Sequence, residues 1–222
     1  VIKAVIFDMD GVLIDAKEWH YEALNKSLAL FGYQISRYDH MVTYDGLPTR
    51  KKLMMLTLER GLPEELHPFI NEIKQKYTID CIHRLCKPMF CHEYALAKLR
   101  QEGYRLAVCS NAVRNSCMLM LEKAGLLPFL EFVLSNEDVT KPKPDPEIYT
   151  AAIARLGLAP KECLILEDND HGIKAAIAAG ANVFVVKTVA DVTYDHLKRQ
   201  IERFAGKETH VGQTELADPV GR

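Results

Sequence analysis

The chain has 222 residues, 48% of them hydrophobic, enough for one substantial core with a smaller appended module but hardly for two full domains. A net charge of −2, from 28 Lys and Arg against 30 Asp and Glu, gives no electrostatic reason to expect nucleic acid or a bilayer as partner and points to small molecules instead. No apolar run reaches the roughly 18 residues that span a membrane, and nothing at the start resembles a signal peptide, so a cytoplasmic protein is expected, a monomer or weak dimer.

In chain order, the first β-rich run is Val1 to Phe7. From about Ala16 to Lys87 there is no convincing strand, only helical pattern, over Glu18 to Phe31, Thr49 to Arg60 and Pro63 to roughly Arg84. The turn residues Asp45, Gly46 and Pro48 separate two of these helices, and Lys87-Pro88 marks the return to the core. Four more apolar runs follow, Arg105 to Cys109, Phe132 to Leu134, Cys163 to Leu166 and Val183 to Val186, with helical pattern between them. They are continuous rather than alternating, the mark of parallel strands buried on both faces. Gly103, Gly125, Gly157 and Gly180 stand where left-handed helix caps belong, and Asp145-Pro146 reads as a helix start. The fold class expected is α/β, a doubly wound parallel sheet formed by 1–15 and 88–205, with an inserted helical module at 16–87 and a poorly ordered polar tail at 206–222.

Of the six cysteines, Cys81, Cys86 and Cys91 recur every fifth residue, a spacing that shares no helix face and is wider than metal-site spacing. Cys109 and Cys163 fall inside apolar runs and read as buried small hydrophobic residues.

Ligands of open parallel sheets bind beyond the carboxyl ends of the strands. There the chain places Asp8 and Asp10, Ser110 and Asn111, Lys141, and Glu167 with Asp168. Four carboxylates at one edge repel one another and call for a cation, and an all-oxygen set favours Mg2+. Asp8 could attack phosphorus in line to form an acyl phosphate. Asp10 could serve as acid and base, a role that asks for a raised pKa, while Lys141 and Ser110 hold the phosphate oxygens.

Phe7-Asp8-Met9-Asp10-Gly11-Val12-Leu13-Ile14-Asp15, Val108-Cys109-Ser110-Asn111, Lys141-Pro142-Lys143-Pro144-Asp145-Pro146, and Leu166-Glu167-Asp168-Asn169 followed by Gly172 and Ala175-Ala176 resemble the four ordered motifs of the haloacid dehalogenase superfamily. The likeness is to its group of β-phosphoglucomutases and phosphoglycolate phosphatases. It implies Asp8 as nucleophile, and Asp10 as acid–base group and backbone-carbonyl metal ligand. Ser110, Asn111 and Lys141 would hold the phosphate, Glu167 and Asp168 the acidic side of a Mg2+ site, and the insertion would be a mobile helical cap. Lys143 competes with Lys141, and family spacing favours Lys141. Thr49 stands where the mutases place an arginine, and Ala16 where they carry a threonine, so the resemblance leans to a phosphatase for a small phosphorylated metabolite. A phosphomutase is the alternative and an idle binding protein a third reading. Asp15 reads equally well as a helix cap. His20 reads first as a structural histidine, Asp170 as the cap of a helix starting near His171, and Arg50-Lys51-Lys52 as a solvated helix face.

Overall fold

The computed structural model describes residues 1–206. The expectation for a tail at 206–222 therefore falls outside the described residues, Gly206 excepted. Five parallel strands, β1 (Ala4–Phe7), β2 (Arg105–Cys109), β3 (Phe132–Leu134), β4 (Cys163–Glu167) and β5 (Asn182–Val185), form one sheet in the order β3-β2-β1-β4-β5. The three central strands, β1, β2 and β4, are almost wholly apolar because both faces of the sheet are covered there. Val5, Phe7, Leu106, Val108, Leu164 and Leu166 point to one face. There they meet Leu96 and Leu99 of α5 (Phe90–Gln101), Met120 and Leu121 of α6 (Arg114–Lys123), and Leu197 and Ile201 of α9 (Tyr194–Gly206). Ala4, Ile6, Cys109, Cys163 and Ile165 point to the other. That face is closed by Ile148, Tyr149 and Ala152 of α7 (Glu147–Leu156) and by Ala175 and Ala176 of α8 (Asp170–Ala178). The alternation is the pleat of a strand read through two cores instead of one.

Between β1 and α5 the chain forms α1 (Lys17–Ala29), the short α2 (Arg37–Asp39) leading into a π-helical turn at His40–Tyr44, α3 (Thr49–Arg60) and α4 (His67–Leu85). These helices gather their own apolar cluster, with Leu24, Leu28, Ile35, Tyr44, Leu53, Leu56, Leu62 and Ile70 all buried. The Asn25 side chain both donates to the Ile35 carbonyl (2.9 Å) and accepts from its N–H (2.8 Å), which pins the loop after α1. Gly61 ends α3 in the left-handed region at φ +68°, the position that suits a residue without Cβ. Among the described residues no helix is long and apolar enough to cross a membrane.

Local starts differ from the sequence reading in three places. Helix α8 is capped by Asn169, whose side chain accepts from Gly172 N–H (3.0 Å), so Asp170 is the first helical residue rather than the cap. Helix α7 begins at Glu147, with Asp145 accepting from its N–H (3.1 Å). Asp15 is exposed and Ala16, which has no capping side chain, occupies the N-cap of α1.

Candidate active site

Parallel pairing sets the site. Phe7 lies opposite Val108 on one side and Leu166 on the other, so the next residues along, Asp8, Cys109 and Glu167, come together at the sheet's carboxyl edge. Strand order reverses about β1, since β2 and β3 lie to one side and β4 and β5 to the other, and the crevice opens there. Asp8 is 4% exposed. One oxygen, Oδ1, accepts from Lys143 Nζ at 2.6 Å. The same ammonium donates to Glu167 Oε1 (2.7 Å) and to the Cys109 carbonyl (2.9 Å), and lies 4.7 Å from the ring centre of Tyr149.

The lysine of the site is thus Lys143, and the expectation for Lys141 is corrected. Lys141 is exposed, and its backbone N–H together with Thr140 is held by the Glu147 carboxylate at the start of α7 (2.8 and 2.9 Å). That tether turns Lys141 outward. Two residues on, the Lys143 N–H donates to Asn111 Oδ1 (3.1 Å), which brings its side chain under the strand ends.

Glu167 is wholly buried and saturated: besides Lys143 it accepts from the Tyr149 hydroxyl and from Asp168 N–H (3.2 Å). Its carboxyl packs so closely on Gly172 that a Cβ there would lie 1.9 Å from it. We expect Gly172→Ala to lower stability by about 3 kcal/mol or more, read from a denaturant midpoint, because Glu167 is fixed by Lys143, Tyr149 and Asp168 N–H and cannot yield. Gly11 makes the comparable approach in the loop after β1. At φ +89°, a Cβ on it would sit 2.0 Å from Asp168 Oδ2.

Oxygens of Asp8, Glu167 and Asp168 lie within 4.8 Å of one another. Burial first, then the charge of Glu167, push Asp8 well above the usual carboxylate range, against the pull of Lys143. Asp168 is raised by burial too, although Lys17 reaches its Oδ2 at 2.7 Å. An oxygen-only donor set carrying more negative than positive charge fits a small hard dication such as Mg2+.

Asp10 faces the same cavity, with Oδ1 buried and free of hydrogen bonds and Oδ2 3.1 Å from His20 Nε2. Lys74 Nζ stands 3.4 Å from the other ring nitrogen. An ammonium can only donate, so Nδ1 accepts and Nε2–H donates to Asp10. Burial would raise the Asp10 pKa, but His20 and its hydrogen bond, aided by Lys74, hold it below the usual range. The raised value that acid catalysis asks for is therefore not supplied by the protein alone. His20, read from sequence as structural, is a direct partner of Asp10.

Ser110 is buried and lines the cavity, its Oγ accepting from Ala112 N–H (3.0 Å). Asn111 donates to the Gly46 carbonyl (3.0 Å), and Lys17 links Asp168 to Asp45 (3.3 Å), so the loop at residues 45–48 of the helical insertion sits over the strand ends. The space enclosed is about 380 Å3, of the size that takes a small metabolite. Its far wall comes from the insertion and includes Arg50, Lys52, Asn71, Lys74 and Gln75.

Lys52 is 7% exposed, and burial, then the charge of Lys74, lower its pKa to about 8 from 10.5. A cation that holds its proton less tightly in the fold than in the unfolded chain costs stability while charged. The cost is full below pH 8 and fades as pH climbs to 10.5. Lys52→Met should therefore gain up to about 3 kcal/mol at pH 7 and nothing by pH 10.5 or so, as measured by urea unfolding at both values.

A family model described as haloacid dehalogenase-like hydrolase matches residues 5–186. The chain belongs to the haloacid dehalogenase-like hydrolases. Within that family it is 28% identical over 179 residues to a phosphorylated carbohydrates phosphatase of Thermotoga maritima, covering 81% of this chain and 82% of that one. It is 27% identical to a phosphoglycolate phosphatase of Aquifex aeolicus, with 81% and 82% covered. A β-phosphoglucomutase of Bacillus subtilis is 22% identical over 94% of this chain and 99% of its own. Among solved structures, the β-phosphoglucomutase of Clostridium difficile superposes with a TM-score of 0.80 at 21% identity, over 93% of this chain and all of that one, which shows a common haloacid dehalogenase-like fold.

Proposed function

We propose that this haloacid dehalogenase-like hydrolase is a Mg2+-dependent phosphatase for small phosphate monoesters that works through a covalent phosphate on Asp8. The observation that carries the reading is the setting of Asp8 at the floor of the cavity. One of its oxygens is anchored by Lys143, and Asp10 stands two residues on with an unpartnered oxygen. The anchored carboxylate presents its other oxygen to phosphorus. As that P–O bond forms, the bond to the leaving alkoxide breaks and Asp10 gives the alkoxide its proton. Asp10 then takes a proton from the water that attacks phosphorus, which frees the Asp8 carboxylate and inorganic phosphate. A phosphate dianion beside Asp10 raises its affinity for a proton, offsetting the pull of His20. Ser110 and Asn111 hold the phosphate oxygens, while Lys143, whose three protons go to Asp8, Glu167 and the Cys109 carbonyl, offsets charge from beneath them.

Asp8, Asp168 and the Asp10 carbonyl would hold Mg2+, with Glu167 behind them, and the ion would neutralise charge on the transferring group. Residues 16–87 act as the cap that closes over the core formed by 1–15 and 88–205. Phosphate release from a panel of phosphorylated metabolites, with Mg2+ and with chelator, tests the reading. Release that is indifferent to chelation would refute the metal. Asp168→Ala should weaken Mg2+ activation by about tenfold or more, with excess metal restoring part of the rate, because a ligand and not a reacting group is lost.

Intramolecular transfer, the mutase reading, gains support from the cations that the insertion turns to the cavity, Lys52 and Lys74. Isomerisation of β-glucose 1-phosphate in the presence of a trace of bisphosphate, with little free phosphate, would favour it.

A further inference from the structure

We propose that Lys17 and the divalent cation compete for one oxygen of Asp168, so that the metal enters by displacing the Lys17 ammonium and this lysine sets how tightly the metal is held. The inference rests on the Mg2+ part of the phosphatase reading and adds a residue of this chain that governs it.

Lys17 Nζ lies 2.7 Å from Asp168 Oδ2 and 3.3 Å from Asp45 Oδ2. The other oxygen of Asp168, Oδ1, accepts from the Asn169 side chain at 3.2 Å, whereas Oδ2 is buried and makes no hydrogen bond. Oδ2 is therefore the oxygen that Asp168 has left for a cation, and the ion pair with Lys17 covers it. A ligand oxygen stands about 2.1 Å from Mg2+. The Asp168 side chain is only 2% exposed, so an ammonium and a dication cannot both reach Oδ2 without two cations pressed together in a poorly solvated place. One of them must withdraw. The Lys17 side chain can, since it is 26% exposed and keeps Asp45 as a partner.

Helix α1 does not ask for this lysine. Lys17 is its first residue, where the helix dipole disfavours a cation, and Ala16 before it offers no capping side chain. The loop after β1 makes room for the contact instead. A Cβ on Gly11 would lie 2.0 Å from Asp168 Oδ2 and 2.8 Å from Lys17 Cε, so carboxylate and lysine stem meet over bare backbone. Because Asp45 belongs to the insertion, metal entry also removes one tie between the strand ends and the loop at 45–48, leaving the Asn111 bond to the Gly46 carbonyl (3.0 Å).

A site that is open for only a fraction of the time loses apparent affinity by that fraction, and removing the competitor restores it. The test titrates Mg2+ calorimetrically into the full chain without substrate, at fixed pH and ionic strength. Lys17→Met is expected to bind Mg2+ at least about tenfold more tightly than the parent, and Lys17→Arg, which keeps the charge, within about threefold of it. Lys52→Met removes a cation of the same cavity that is not paired with Asp168, and should also stay within about threefold. Affinity unchanged or weakened in Lys17→Met would overturn the competition, since Lys17 would then be indifferent to the metal or help to hold it. Equal tightening in Lys17→Arg or Lys52→Met would overturn it as well, because the ion pair on Oδ2 would not be its source. Lys17→Gln is the second neutral variant, with the same expected direction, should Lys17→Met fail to fold. Failure of both to fold in saturating Mg2+ would make Lys17 a structural tether and end the inference. If no member of the set binds Mg2+, the metal reading itself falls and takes the inference with it.

Discussion

Asp8→Asn protein is expected to fold and to release phosphate at less than about a thousandth of the parent rate. An amide is no nucleophile toward phosphorus, and it brings no charge to a dication. The fold should survive because Lys143 keeps its other two partners, Glu167 and the Cys109 carbonyl. Removing the Asp8 charge also relieves the repulsion from Glu167 and Asp168 that adds to burial in raising it. Turnover with saturating Mg2+, alongside circular dichroism and a thermal midpoint, makes the measurement. Residual activity above that level would mean that the phosphoryl group goes directly to water, with Asp8 reduced to a ligand.

The second large effect separates two lysines that lie two residues apart. Lys143→Met should lower activity by about a hundredfold or more and destabilise by about 3–5 kcal/mol, because it strands Asp8 and Glu167 as buried, uncompensated charges. Lys141→Met should change stability by no more than about 0.5 kcal/mol, since its backbone N–H and not its exposed side chain is what Glu147 holds. Assays of both variants for phosphate release and urea midpoint would settle which lysine serves the site. A silent Lys143→Met beside a dead Lys141→Met would reverse the assignment.

The sheet was legible because each strand is a short apolar run closed by a polar residue with work to do. Arg105–Cys109 and Phe132–Leu134 coincide with the runs read from sequence, and the others differ only at their ends. The carboxylates Asp8, Asp10, Glu167 and Asp168 were visible for the same reason: strand ends are fixed by local pattern and parallel register carries them to one edge. Spacing favoured Lys141 over Lys143 and misled, since the choice depends on Glu147 tethering one end of the loop and Asn111 the other. Tyr149 carries no signal of its own on an amphipathic helix. The wall contributed by the insertion was harder still, because it depends on how two helices approach. One clue was present in Arg50-Lys51-Lys52. Successive residues turn by about 100°, so three in a row cannot share a solvated face, and Lys52 stands one turn before buried Leu56. The π-helical turn at His40–Tyr44 has no such pattern.

The separation of apolar clusters has a consequence for how such a chain can diverge. Leu24, Leu53, Leu56 and Ile70 pack with one another, apart from the two layers that flank the sheet. Distant sites without shared partners respond to substitution almost independently. Drift among residues around the helical cluster can therefore re-aim the groups that meet the far end of a ligand while the strand ends stay in register. Descent can run at two speeds within one polypeptide, slowly beneath the carboxylates and faster above them, so that new selectivity arises without the chemistry having to be reinvented.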